Sequence, residues 1–292
     1  MRGVVSAGMV CALEQLGLLN VFDAIYGASA GAAIASYFAA GQATYATSIY
    51  YENVNNRHFI SLLRPFVGKP LISFNYLIDH VGIYEKILDC DAAIKSNVSL
   101  NLIATSLDAG HTKALTGFRD RAELIEALRA SLRIPIFGGP PVLFRGERFV
   151  DGSLLEPVPM SAALDDGCTH VLALVSNHGG YPNLVRRVLD RFVVAPYLSR
   201  FRRELAENYL RRRRALDDSR GTCPGGGADP IMAEVCRIEL AVESAIVGRL
   251  ETSRYRLIAG AKAGMQRAFE VLTGTKPQLV EVIQAYTKKP KA

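Results

Sequence analysis

Ser29 stands at the centre of Gly27-Ala28-Ser29-Ala30-Gly31, a G-x-S-x-G turn. A serine hydroxyl is a poor nucleophile at neutral pH. It becomes useful when a base lies within hydrogen-bond reach and a sharp strand-to-helix turn exposes its oxygen. Gly27 and Gly31, without side chains, suit such a bend. A serine at a helix N-terminus also meets free N–H groups and the positive end of the helix dipole. Both favour the negative charge of a tetrahedral intermediate. The chemistry suggested is attack on an acyl carbonyl. The competing reading of so short a motif is a glycine-rich connection in an ordinary α/β domain.

Two kinds of base fit that chemistry. A Ser-acid-His order is formally available, because His170 and His178 follow Asp151. The α/β-hydrolase architecture that uses this order places several strands before its serine. Only 28 residues precede Ser29 here, room for one helix and one strand. The histidines therefore read as surface or structural residues. The second kind is a carboxylate acting directly on the hydroxyl. Asp151-Gly152-Ser153 is the candidate. It follows Phe149-Val150 and precedes Pro157 and Pro159. By itself, Asp-Gly after a hairpin is also the ordinary use of that dipeptide as a turn.

The elements that must position these residues follow from periodicity. Val5, Met9, Leu13 and Leu16 predict a helix over 4–17, stopped at Gly17. Val21 to Tyr26 predicts a strand leading into the serine turn, and the small residues from Ala30 to Ala40 a close-packing helix. Helical pieces are expected near 44–54 and 73–89. Val98 to Ala104 predicts a strand that pairs with Lys113 to Thr116. Arg121 to Leu132 predicts a helix ending before Pro135. A hairpin is expected over Val142–Phe144, Arg145-Gly146-Glu147 and Arg148–Val150. It is followed by a short helix near Met160 to Leu164 and a strand over His170 to Val175. This alternation predicts an α/β sandwich with a mostly parallel sheet.

Beyond residue 182 the pattern predicts a basic, helical C-terminal extension, separate from a domain over 1–182. Leu184 to Leu216 reads as helix broken at Pro196. The stretch around Gly225-Gly226-Gly227 reads as a loop. Ile231 to Leu272 reads as helix, with Ile231, Val235, Ile238, Val242 and Ile246 on one stripe. Arg211, Arg212, Arg213 and Arg214 crowd a helix that also carries Phe201, Leu205 and Tyr209. They suggest peripheral contact with an anionic membrane, against the plainer reading of a solvated face. Few aromatics interleave with the arginines, which argues against nucleic acid.

The 292 residues are about half hydrophobic and carry a net charge of +6, an ordinary globular balance with a lean toward anionic partners. No apolar run is long enough to span a bilayer, and residues 1–3 do not begin a secretory signal. Five cysteines without a CxxC pair indicate free thiols in a cytoplasmic, reducing setting, with no metal site.

Taken in order, three stretches resemble the patatin-like phospholipases. Arg2-Gly3-Val4 with Ala7-Gly8-Met9-Val10 resembles the end of that family's glycine-rich loop and its first helix. Gly27 to Gly31 resembles its nucleophile elbow. Ala130-Ser131 through Pro135 and Phe137, then Phe149-Val150-Asp151-Gly152, resembles the approach to its aspartate. The resemblance covers residues 2 to 180. It implies a three-layer α/β/α sandwich and a cofactor-free Ser-Asp dyad acting on lipid esters, with Ser29 as nucleophile and Asp151 as base. Ser153 stands where the family carries Gly or Ala. The family's G-G-G-x-[KR]-G loop is met only at its final pair, so Arg2 and Gly3 are expected to form a partial oxyanion hole. The alternative expectation is a weak or inactive lipid-surface or regulatory protein on the same scaffold. Acyl chain, head group, acceptor and oligomeric state are not encoded in any recognisable motif.

Overall fold

The computed structural model describes residues 1–176, 184–218, 233–240 and 247–275. Helix α1 (Gly3–Gln15) is almost entirely buried, and Glu14 near its end accepts the N–H groups of Ala43 and Thr44 at 2.6 and 2.8 Å. Strand β1 (Ala24–Ala28) runs straight into α2 (Ala30–Ala39). The strand thus lies later than Val21–Tyr26; Leu19–Val21 forms a 3-10 turn instead. Helices α3 (Ala43–Thr47) and α4 (Ile49–Glu52) follow, then a π-helical stretch (Tyr76–Glu85) and α5 (Cys90–Ile94).

Strand β2 (Ser99–Ser106) is the hub of a mixed sheet. It pairs in parallel with β1, and antiparallel with β3 (Thr112–Leu115) and with β5 (Glu147–Asp151). Asp120 caps α6 (Arg121–Leu132) by accepting the Glu123 N–H at 2.9 Å. Strands β4 (Val142–Phe144) and β5 (Glu147–Asp151) form the expected hairpin. Its turn is tighter than read: Arg145 and Gly146 both take positive φ, as a two-residue type I′ connection needs. Helix α7 (Met160–Asp165) and β6 (His170–Val175) match their expected spans. The α/β architecture is therefore as read, with a parallel ladder at β1–β2, a second between β6 and β7 (Glu234–Glu239), and antiparallel ladders at β2–β3, β2–β5 and β4–β5.

The C-terminal half departs most from expectation. Helices α8 (Leu184–Leu189) and α9 (Ala195–Ser199) are joined by a π turn (Asp190–Val194) without a break, and Pro196 sits where the π turn passes into α9. The break comes instead between Ser199 and α10 (Arg203–Asp218). Residues Glu234–Glu239 are not helical. They form β7, pairing in parallel with β6, so Val235 and Ile238 belong to a strand rather than a helical stripe. Ile231, Val242, Ile246, His178, Cys223 and the 225–227 glycines lie outside the described residues.

Helix α11 (Arg254–Thr273) packs on α1 at backbone contact. A Cβ on Gly8 would overlap the Ala261 carbonyl, and one on Gly264 would overlap the Val5 carbonyl. Val4, Val5, Met9, Ile238, Leu257, Ala261 and Met265 close this core. Among the described residues beyond 182, β7 pairs with β6 and α11 shares a core with α1. No described helix is long and apolar enough to cross a membrane.

Candidate active site

Register brings Ser29 and Asp151 together. Ala28 at the end of β1 pairs with Ile103 of β2, and Asp151 at the end of β5 pairs with the next residue, Ala104. The two ends therefore meet end to end along one edge of β2, whose other edge is taken by β3. Ser29 Oγ donates to Asp151 Oδ2 at 2.6 Å.

Ser29 sits between strand and helix with φ 56° and ψ −127°. Positive φ costs a non-glycine residue on the order of 1–3 kcal/mol and persists only where the surroundings enforce it. The strain falls on the serine itself, not on the flanking glycines. Gly27 serves close approach, since a Cβ there would overlap the Gly31 carbonyl, whereas a Cβ on Gly31 meets nothing within 4 Å. The Ser29 N–H donates to Ser131 Oγ at 3.2 Å, and Ser131 Oγ donates in turn to the Ile103 carbonyl at 2.6 Å. Ala30 and Gly31 occupy the first turn of α2, whose N–H groups have no carbonyl within the helix to bond.

Asp151 is 2% exposed. Burial pushes its carboxyl above the usual carboxylate range, and hydrogen bonds from Ser29 and Ser153 offset that only in part. Oδ1 accepts the Ser153 N–H at 2.8 Å, which dedicates Oδ2 to Ser29. The main chain is fixed as well: the Asp151 N–H donates to the Arg133 carbonyl at 2.8 Å, and Thr105 Oγ1 donates to the Asp151 carbonyl at 3.0 Å. Gly152 is demanded sterically, because a Cβ there would overlap the Ile103 carbonyl. The Ser153 backbone meets Asp151 through its N–H and Arg212 through its carbonyl.

Arg2 is the N-cap of α1 and Gly3 its first residue. Gly3 lies against the elbow: a Cβ there would come 2.7 Å from the Ala30 Cβ and would overlap Tyr50 Oη. Of the arginine tract, two members turn inward. Arg212 donates from Nη1 to the carbonyls of Ser153 and Leu154, the latter at 2.6 Å, and so grips the turn that follows Asp151. Arg213 pairs with Asp190 at 2.9 Å, where Tyr209 Oη also donates. Arg211 and Arg214 are exposed, and only they remain available to a surface.

His170 is exposed at the start of β6 and within hydrogen-bond distance of Thr169 Oγ1, so it serves no triad. Three contributors escaped the sequence reading as functional residues. These are Ser131 through its hydroxyl, Arg133 through its carbonyl, and Arg212. Ser131 and Arg133 carried a signal only as part of the family-like stretch, and Arg212 only as one of the arginines expected at an anionic surface. The Arg133 guanidinium is itself buried. Nη1 donates to the Gly138 carbonyl at 2.6 Å, and Nε has no partner among the described residues.

The patatin-like phospholipase family model matches residues 1–164. Over 165 residues the chain is 30% identical to mouse patatin-like phospholipase domain-containing protein 2, a stretch covering 54% of this chain and 32% of that relative. It is 30% identical over 161 residues to mouse omega-hydroxyceramide transacylase, covering 53% and 26% of the two chains. It is 23% identical over 184 residues to the uncharacterized protein YjjU of Escherichia coli (strain K12), covering 59% and 48%. The match thus spans about half or less of each relative's own length.

Proposed function

The chain belongs to the patatin-like phospholipase family, and from that premise we propose that it is a serine lipid acyl hydrolase working through a Ser29–Asp151 dyad. The observation that carries this reading is the 2.6 Å hydrogen bond between Ser29 Oγ and the buried Asp151 carboxylate, made at a strained elbow.

Asp151 Oδ2 takes the Ser29 proton as Oγ attacks the ester carbonyl. The first-turn N–H of Ala30, with that of Gly3 beside it, receives the oxyanion. One such donor is worth about 2.7–4 kcal/mol in comparable sites. Collapse expels the alcohol, which leaves with the proton from Asp151, and the acyl group stays on Ser29. Water then attacks with Asp151 again as base, and the acid departs as Ser29 regains its proton. An alcohol in place of water would make the same intermediate a transferase step; one relative is named a transacylase. The substrate class is a lipid ester, and no cofactor is required.

The test is hydrolysis of short-chain nitrophenyl esters and of phospholipid vesicles, with and without an added alcohol. Loss of turnover in both Ser29→Ala and Asp151→Asn supports the dyad. A protein that binds vesicles but never turns over, and leaves Ser29 unlabelled by a fluorophosphonate, is instead a non-catalytic lipid-surface protein.

A further inference from the structure

Between Glu52 and Asp79 the sequence holds no acidic residue, yet it holds Arg57, Arg64 and Lys69. This segment folds back on itself. Ile60 and Ile72 form an antiparallel bridge, the Ser61 N–H donates to the Leu71 carbonyl at 3.1 Å, and the Ser73 N–H to the Phe59 carbonyl at 2.9 Å. At the root, Phe59 and Phe74 are buried edge-to-face with ring centroids 6.0 Å apart. The tip is a 3-10 turn (Arg64–Val67) closed by Gly68.

The tip reverses the usual rule for a surface turn. Leu62, Leu63, Phe66 and Val67 are 64, 74, 86 and 69% exposed. Scattered exposed apolar residues are normal, but four within six positions on one projecting turn make a patch that folding does not need. The cations sit around it. Arg57 and Lys69 are exposed. Arg64 folds its guanidinium back onto the carbonyls of Arg57, His58 and Phe59, neutral partners that leave its charge uncancelled. An apolar tip with a collar of positive charge and no negative one is complementary to an anionic lipid interface, which offers acyl chains below and acidic headgroups above.

The neck is tied to the catalytic region. The Ile72 N–H donates to the Phe137 carbonyl at 3.2 Å. Phe74 lies under Gly138, whose carbonyl holds the Arg133 side chain, and the Arg133 carbonyl fixes the Asp151 N–H.

We infer that the Leu62–Val67 tip is the element by which the protein docks on an anionic lipid surface, with Leu63 and Phe66 entering the acyl layer and Arg57, Arg64 and Lys69 at headgroup level. The inference rests on the lipid hydrolase reading for its purpose, but it can be tested without turnover.

The experiment is co-sedimentation of the Ser29→Ala protein with vesicles of phosphatidylcholine, alone and with phosphatidylserine. The Ser29→Ala chain is expected to prefer the anionic vesicles. Adding Leu63→Ser and Phe66→Ser is expected to weaken binding at least about tenfold, the scale of removing two inserted side chains. Adding Arg57→Glu and Lys69→Glu is expected to abolish the preference for phosphatidylserine. In a chain with Ser29 intact, Leu63→Ser and Phe66→Ser should leave hydrolysis of a soluble nitrophenyl ester unchanged, which also reports a sound fold.

The inference is overturned if the Ser29→Ala chain binds neither vesicle, or if tip substitutions leave binding intact. It is equally overturned if Arg211→Glu and Arg214→Glu remove binding while the tip variants do not. Sedimentation equilibrium that finds a dimer dispersed by Phe66→Ser, with vesicle binding unchanged, would reassign the tip to self-association. An absence of ester hydrolysis by the chain with Ser29 intact counts against the dyad, not against the tip.

Discussion

Ser131 Oγ accepts the backbone N–H of Ser29 at 3.2 Å while donating to the Ile103 carbonyl at 2.6 Å. One hydroxyl thereby links the strained serine to the central strand. It is a positioning contact, since Ser131 has no direct hydrogen bond to Ser29 Oγ. Ser131→Ala is expected to lower kcat on nitrophenyl esters by roughly tenfold, with KM nearly unchanged, and to lower stability by about 1 kcal/mol. Ser131→Thr, which keeps the hydroxyl, should recover most of the kcat. Equal loss in Ala and Thr variants would point to packing rather than to the hydrogen bond.

The strain at Ser29 has a thermodynamic signature. Glycine tolerates φ 56° and alanine does not. Ser29→Gly should therefore melt higher than Ser29→Ala, although both lack the proposed nucleophile. Thermal unfolding of the two inactive proteins decides it; an order of Ala above Gly would mean that the elbow stores no strain.

Asp151 gives a pH dependence with a definite sign. Its folded pKa is raised by burial. In the proposed dyad Asp151 serves as base only when ionised, so kcat/KM should fall as pH drops through a value above the ordinary aspartate pKa of about 3.9. The same shift makes the folded state prefer the protonated acid. That preference favours folding fully below about pH 3.9 and is lost as pH rises through the folded pKa. At neutral pH the buried charge is a net cost, so Asp151→Asn should abolish turnover yet raise the melting temperature. The gain should shrink toward acid pH. Denaturation of both proteins across pH 4 to 8 checks this; a less stable Asn variant at neutral pH would contradict it.

The α1–α11 crossing depends on two backbone contacts that leave no room for a methyl group. Gly264→Ala should cost about 1–3 kcal/mol, as overpacking does. Because α1 also carries Gly3 against Ala30, serine labelling should slow as well. Urea unfolding and labelling rates measure the two effects. An unchanged urea midpoint would show that the helices can separate freely.

Arg212 ties α10 to the turn after Asp151. Arg212→Met keeps most of the aliphatic stem and removes the donors. It should cost about 1.5–3 kcal/mol, the range for hydrogen bonds from a charged group, and should lower kcat more than it raises KM. An effect confined to vesicle binding would return Arg212 to the surface.

Legibility in the sequence followed range of interaction. Helix α6, the β4–β5 hairpin and β6 were readable because caps, turns and periodicity are local. Strand β7 was not. Val235 and Ile238 lie three apart, which suits a helix stripe, and the strand exists through its ladder with β6, more than sixty residues away. Pro196 does not mark the break, because the helical run passes from the π turn through it and stops only after Ser199. The pairing of Ser29 with Asp151 followed from family resemblance and not from spacing, since it depends on β2 accepting β1 and then β5 in succession along one edge. Ser131 and Arg212 act across 102 and 58 positions, and no local pattern marks such contacts. Arg212 and Arg213 were counted as surface charge because a run of arginines does not reveal which members face inward.

The most direct measurement is reaction of the purified protein with a fluorophosphonate, alongside hydrolysis of a nitrophenyl butyrate. The chain with Ser29 and Asp151 intact should be labelled once, on a peptide containing Ser29, and should turn over the ester. Ser29→Ala should do neither, and Asp151→Asn should lose at least about a thousandfold in kcat/KM, some 4 kcal/mol of transition-state stabilisation. Turnover that survives both substitutions, or labelling at another serine, would contradict the dyad.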